Sequence, residues 1–149
     1  RKIGEQNGAV FAHFLKQIQS TTAEASALDH LSDLSAALNA AAERLTKVAL
    51  NLGQKAMSVD YQVAFAHSLP FLHVMGDVIV AWMLLWRAAT AAKLVEGVKG
   101  KKQAFYQGQM KTAEFFIRTV LPIALGKMDA IEDGCAAAVE IEAAGFVSG

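Results

Sequence analysis

The chain holds one cysteine, two prolines and no apolar run longer than the nine residues Val78 to Trp86. A lone cysteine, Cys135, can close no internal disulfide and build no cysteine-rich zinc site, and it points to a reducing compartment, most simply the cytoplasm. Nine apolar residues fall short of the roughly 20 that cross a bilayer, and extension backwards meets Asp77, His73 and Pro70, so no membrane span is expected. The opening RKIGEQNG has no apolar stretch of the kind a signal peptide needs. Neither sign of charge is in excess, with fourteen basic and fourteen acidic side chains, which leaves no global field to draw nucleic acid.

Catalytic and cofactor motifs are missing as well. There is no Glu-x-x-His for a di-iron carboxylate centre, and His13, His30, His67 and His73 are too scattered in sequence to suggest a metal site. The chain has no glycine-rich phosphate loop and no Gly-x-Ser-x-Gly elbow, so nucleotide binding and acyl hydrolysis lack their usual local geometry. His73 and Asp77 share a helix face at i, i+4, and mutual satisfaction in a crowded core explains them better than half a site. A solvated turn explains Lys99, Lys101 and Lys102 better than a phosphate clasp does. Trp82 and Trp86, also at i, i+4, read as packing or interface anchors in preference to a stacking platform.

What remains is a packed globule. Hydrophobic residues make up 54% of the 149 and charged ones 19%, enough to fill the core of one domain. A mean hydropathy of +0.30 is high for a soluble monomer, so part of the apolar surface should meet a partner. The charges are also segregated: from Arg87 to Lys111 six cations face Glu96 alone, and from Asp129 to Glu142 five carboxylates face no cation.

The apolar spacing predicts four helices. Asn7 as N-cap and the series Phe11, Phe14, Leu15, Ile18 give a first helix ending near Ser20. Thr21 with Glu24, or Ser26 with Asp29, offers the capping-box spacing that would start the second. That helix carries Leu31, Leu38, Leu45 and Leu52 at seven-residue spacing beside Leu34, Ala41 and Val48, a seam that only another long rod can bury, and it ends at Gly53 to Ser58. A third runs from Asp60 to Val95 with a kink at Pro70, placing Leu72, Gly76, Ile79, Met83 and Trp86 on one face and Phe65, Val74, Val78, Trp82 and Leu85 elsewhere. Being apolar all round, it should be the central helix. The stretch Gly97 to Lys102 makes a turn, and a fourth helix from Lys102 to Asp133 repeats the seam with Tyr106, Met110, Ala113, Ile117, Val120, Ala124 and Ile131, kinked at Pro122. The alanine-rich tail can add a short helix before Gly145. The fold class is all-α, an antiparallel four-helix bundle with long kinked helices, spanning 1–149 as one domain.

The string Phe105-Tyr106-Gln107-Gly108-Gln109-Met110-Lys111-Thr112-Ala113-Glu114-Phe115-Phe116, followed by Val120-Leu121-Pro122, resembles the C-terminal helical extension of one acyl-CoA dehydrogenase subgroup. Leu72-x-x-x-Gly76 with Trp82 adds to the likeness, and Arg1-Lys2-Ile3-Gly4 with Asn7-Gly8-Ala9 is similar to the junction between the dehydrogenase core and that extension. The resemblance implies a parent flavoprotein of fatty acid metabolism, an FAD-dependent oxidoreductase that oxidises an acyl-CoA thioester at its α and β carbons. A glutamate removes the α proton and FAD takes the β hydride, and both lie upstream of this chain. It therefore implies that the chain is an accessory domain with no catalytic, cofactor-binding or metal residue. Its expected partners are the dehydrogenase core of the same polypeptide and a second copy, giving a homo-oligomer such as a dimer.

Trp82, Trp86, Phe105, Tyr106 and Phe115 are the expected interface or packing residues, joined by Asp129, Glu132 and Asp133. Carboxylates at a helix C-terminus oppose its dipole, so that acidic end is expected to meet a basic surface of the core or partner. The alternative is a free-standing helical interaction protein; a ligand-binding bundle is a weaker third reading.

Overall fold

The computed structural model describes residues 8–147. The N-cap expected at Asn7 and the junction residues Arg1 to Gly4 lie outside the described residues. Among those described the protein is all-helical, with no strand.

Helix α1 (Ala9–Ser26) starts after Gly8, whose φ of 81° lies in the left-handed region that glycine tolerates. It runs past Ser20, where the sequence predicts its end, because its hydroxyls are satisfied inside the helix. Thr21 donates to the Gln17 carbonyl at 3.1 Å and Thr22 to that of Gln19 at 3.0 Å. Neither Thr21 nor Ser26 caps the second helix, therefore. That helix, α2 (Ser32–Ala56), begins after a tight turn in which the Leu31 amide bonds the Leu28 carbonyl. Its seam is buried as the heptads require: Leu38 and Leu45 are fully covered, and Leu31, Leu34, Ala41, Val48 and Leu52 are no more than 9% exposed.

The helix expected over Asp60 to Val95 is two helices, α3 (Tyr61–Ala66) and α4 (Ser68–Val95), divided at His67. Pro70 has no amide to offer the Ala66 carbonyl and its ring crowds the preceding turn, so the break falls one turn upstream of the proline. Pro122 acts in the same way. It divides the predicted fourth helix into α5 (Lys101–Thr119) and α6 (Leu121–Asp133), taking a first-turn position of α6 where an amide has no helical partner anyway. Val120 at that joint keeps right-handed helical angles and donates to the Phe116 carbonyl at 2.8 Å. The tail forms α7 (Ala137–Glu140) and a 3-10 turn (Ala143–Phe146).

Helices α2 and α4 meet at the centre, and both also touch α5 and α6 on one flank and α1 on the other. Ala41, Ala42 and Ala49 on α2 and Ala81, Ala88 and Ala89 on α4 are buried, and side chains this small leave room for close approach of helices. Among the described residues α1 does not reach α5 or α6. Polar pairs fix the directions. Asp77 with Lys127 and Arg87 with Gln109 run in opposite chain senses, so α4 is antiparallel to α5 and α6. Asp33 with Arg118 and Arg44 with Asp129 run in the same sense, so α2 is parallel to them.

Candidate docking face and aromatic cleft

Helix α4 carries more apolar surface than its neighbours cover. It buries Phe71, Val74, Val78, Ala81, Leu85 and Ala88, while Leu69 is 59%, Leu72 62%, Val80 44% and Trp86 54% exposed. The face Leu72, Gly76, Ile79, Met83 and Trp86 is thus the outer one, and the core takes Val74, Val78 and Leu85. Phe65 on α3 is exposed as well. A side chain at Gly76 would meet nothing within 4 Å, so the outer face has a notch between Leu72 and Val80. By length and composition this 28-residue helix could cross a membrane, a property hidden by counting only unbroken apolar residues. Two polar contacts hold its flank to α5 and α6: Asp77 to Lys127 at 3.5 Å, and the Arg87 guanidinium donating to the side-chain amide oxygen of Gln109. His73 is exposed, so the crowded-core pairing of His73 with Asp77 gives way to the Lys127 contact.

The aromatic residues separate into distinct roles. Trp82 faces α1: its indole N–H donates to Thr21 Oγ1 at 2.8 Å, and Phe14 meets its ring edge to face at 5.8 Å between centroids. Trp86, one turn on, joins Phe105 and Tyr106 in an open cleft of about 320 Å³ between α4 and α5, where Arg87, Thr90, Ala91 and Gln109 complete the wall. Phe105 is 60% exposed, its ring 5.6 Å from that of Tyr106. Phe115 is 68% exposed farther along α5.

Where α1 falls short of α5, a cavity of about 500 Å³ opens between α2 and α5, floored by Leu31, Leu34 and Met110. Its rim charges satisfy one another: Glu114 takes Lys111 at 2.7 Å and Arg118 at 3.6 Å, and Arg118 also reaches Asp33 at 3.7 Å. The hydrogen bond and charge of Lys111, with Arg118 beyond it, hold the Glu114 carboxyl below the ordinary carboxylate range. No group of three or more His, Cys, Asp or Glu side chains among the described residues could hold a metal.

The acidic end is not free. Arg44 on α2 clamps Asp129 at 2.5 Å and Glu132 at 2.6 Å, a partner 85 positions away that local sequence could not supply. Asp133 is exposed at the last residue of α6, before Gly134 turns the chain with φ 65°.

Residues 14–142 match the family described as acetyl-CoA dehydrogenase C-terminal like. Over 98% of its length the chain aligns, at 30% identity, with the broad-specificity linear acyl-CoA dehydrogenase FadE5 of Mycobacterium tuberculosis. It spans 25% of that relative's length. The match runs from α1 into the tail beyond α7, and the chain belongs to the acetyl-CoA dehydrogenase C-terminal-like family.

Proposed function

We propose that residues 1–149 form one non-catalytic accessory domain of an FAD-dependent acyl-CoA dehydrogenase, packing on the catalytic core and supporting oligomerisation. Its four rods are α1, α2, α3 with α4, and α5 with α6, and rods adjacent in sequence run antiparallel as a four-helix bundle. The observation that carries the reading is the outer face of α4, where Leu69, Leu72 and Val80 stand in solvent on a helix made for burial on several sides. The chain covers a quarter of its dehydrogenase relative, which leaves ample polypeptide to cover that face.

The described residues do not fit a flavin. The larger cavity spends its cations on Glu114 and Asp33, and the cleft beside Trp86 is too open to wall a three-ring isoalloxazine. FAD and the oxidation of the acyl-CoA are therefore assigned to the remainder of the parent enzyme, and no residue here takes a step of that reaction. The exposed, unpaired Cys135 supports a cytoplasmic setting.

The test is to mix the separately purified flavin-bearing core with this chain and follow co-elution at flavin wavelengths. Co-elution is expected, with loss on Leu72→Asp plus Val80→Asp. Two folded proteins that elute apart would refute the docking, and transfer of the chain to lipid vesicles would assign the face to a membrane.

A further inference from the structure

We infer that the outer side of α5 and α6 is an interface on which a second copy of this chain packs antiparallel, about a two-fold axis near Ile117. On the side of this rod away from its buried residues, Phe105, Thr112, Thr119 and Gly126 repeat at seven-residue spacing with Gly108, Phe115 and Pro122 between them, and all seven are exposed. That is a heptad seam of the kind that packs against another helix. The joint at Val120 does not break its phase, since Ile117, Leu121, Ala124 and Met128 stay buried at four- and three-residue steps across it. Thr112 donates to the Gly108 carbonyl at 2.8 Å and Thr119 to that of Phe115 at 2.5 Å, so the stripe can leave water without an unmet hydroxyl proton.

Charge selects the occupant. The rod begins at Lys101 and ends at Asp133, both exposed and neither in an ion pair among the described residues. A second copy running the other way sets Lys101 against the partner's Asp133, whereas a parallel copy would bring like charges together at both ends. In the antiparallel register Gly108 lies opposite the partner's Gly126 and Phe115 opposite the partner's Thr119, and the two-fold axis makes each contact twice. A side chain at Gly108 or Gly126 would meet nothing within 4 Å, so the two backbones can close on each other there, with the phenylalanines filling the space beside the axis. The rod is about 50 Å long, and a stripe about 10 Å wide on each copy buries on the order of 1,000 Å² in all, the lower limit of a specific interface. The pair should therefore be weak, with a dissociation constant of about 10 to 100 µM. The inference gives a surface to the oligomerising part of the proposed role and rests on that part alone, since docking on the core uses α4.

Sedimentation velocity of the purified chain at low salt, from about 1 µM to about 1 mM, should show a monomer passing into a dimer. Phe115→Asp should weaken the dimer at least about thirtyfold, since the axis counts that side chain twice. Gly108→Leu should weaken it at least about tenfold although it adds apolar surface, because the new side chain wedges the helices apart, and it should leave the thermal unfolding of the monomer no lower. Lys101→Glu should cost about fivefold, and Asp133→Lys added to it should restore the original affinity to within about twofold. All four positions are exposed, so the variants keep the fold of the monomer. A chain that stays monomeric to about 1 mM, a dimer that Gly108→Leu tightens, or a Lys101→Glu loss that Asp133→Lys fails to repair overturns the inference. So does a dimer lost in Leu72→Asp and kept in Phe115→Asp. Co-elution with the flavin-bearing core separates the two readings: a monomeric chain that binds the core leaves the docking role standing, and a dimer sensitive to Phe115→Asp that does not bind the core removes that role alone.

Discussion

Leu72 and Leu85 sit thirteen residues apart on α4, at opposite sides of one helix, so truncating each to alanine separates the burial within this chain from the burial reserved for a partner. Leu85 is fully buried, and removing its isobutyl group forfeits transfer free energy and leaves a hole in the packing, together about 2 to 5 kcal/mol. With an unfolding entropy of about 2.1 cal/mol/K per residue over 149 residues, a loss of about 3 kcal/mol lowers Tm by about 10 °C. Leu72 is 62% exposed, so Leu72→Ala should cost no more than about 0.5 kcal/mol in the chain alone. Urea unfolding followed by circular dichroism measures both, and unchanged slopes would show that only stability has moved. Association reverses the order: Leu72→Asp should weaken co-elution with the catalytic core by about thirtyfold if the site is worth about 2 kcal/mol. Equal destabilisation by Leu72→Ala and Leu85→Ala would refute the assignment of faces. Undiminished association of folded Leu72→Asp would remove the outer face from any interface.

Thr21→Val deprives the Trp82 indole of its acceptor and should cost about 1 to 2 kcal/mol in urea unfolding; additivity with Trp82→Phe would show that the hydrogen bond contributes nothing. Glu114 titrates below its ordinary range in the folded state, so its stabilising share is complete above the unfolded pKa and is lost as pH falls through the folded one. Glu114→Gln should therefore flatten the acid limb of a stability–pH curve, and superimposable curves would count against the Lys111 contact. Arg44→Ala leaves Asp129 and Glu132 repelling each other and should cost about 1 kcal/mol at low salt, less at high salt, while Asp133→Lys leaves stability unchanged. Gly76→Ala should stabilise the chain by about 0.5 to 1 kcal/mol, since nothing within 4 Å opposes the new methyl; a loss would mean the notch is filled from within.

The seam of α2 was readable because a period of seven ties Leu31, Leu38, Leu45 and Leu52 to one side of a helix whose other sides are polar. On α4 the same reasoning picks no face, since Val78 to Trp86 is apolar all round and a pattern without a polar side carries no phase. Only the positions of α1, α2, α5 and α6 decide that Val78 and Leu85 go inward and Leu72 outward. The end of α1 lies beyond Ser20, and the break between α3 and α4 lies upstream of Pro70, for local reasons. Threonine can satisfy its hydroxyl on the preceding turn, and proline breaks a helix upstream of itself. Arg44 with Asp129 and Glu132, and Trp86 with Phe105, are long-range pairs that no local spacing encodes.

The features left for a partner are narrower than composition suggests. Helix α2 is completed by its own chain, with Leu50 its one large apolar side chain left well exposed, and the acids of α6 are drawn onto Arg44. The cations of the larger cavity are likewise held by Glu114 and Asp33. Unspent surface lies along α4, an apolar ridge from Leu69 to Val80, notched at Gly76, that runs towards an aromatic end at Trp86 and Phe105, while Met57, Val59, Phe115 and Ile123 are exposed elsewhere. A surface of that kind draws little selectivity from charge along its length, so any docking there would rest on shape, with the notch at Gly76 its distinguishing feature. Unpaired cations lie towards one end, where Lys99, Lys101 and Lys102 precede the rings of Phe105 and Tyr106 in the chain. Substitutions at Leu72 and at Lys101 should therefore separate what the apolar ridge contributes to association from what the basic end contributes.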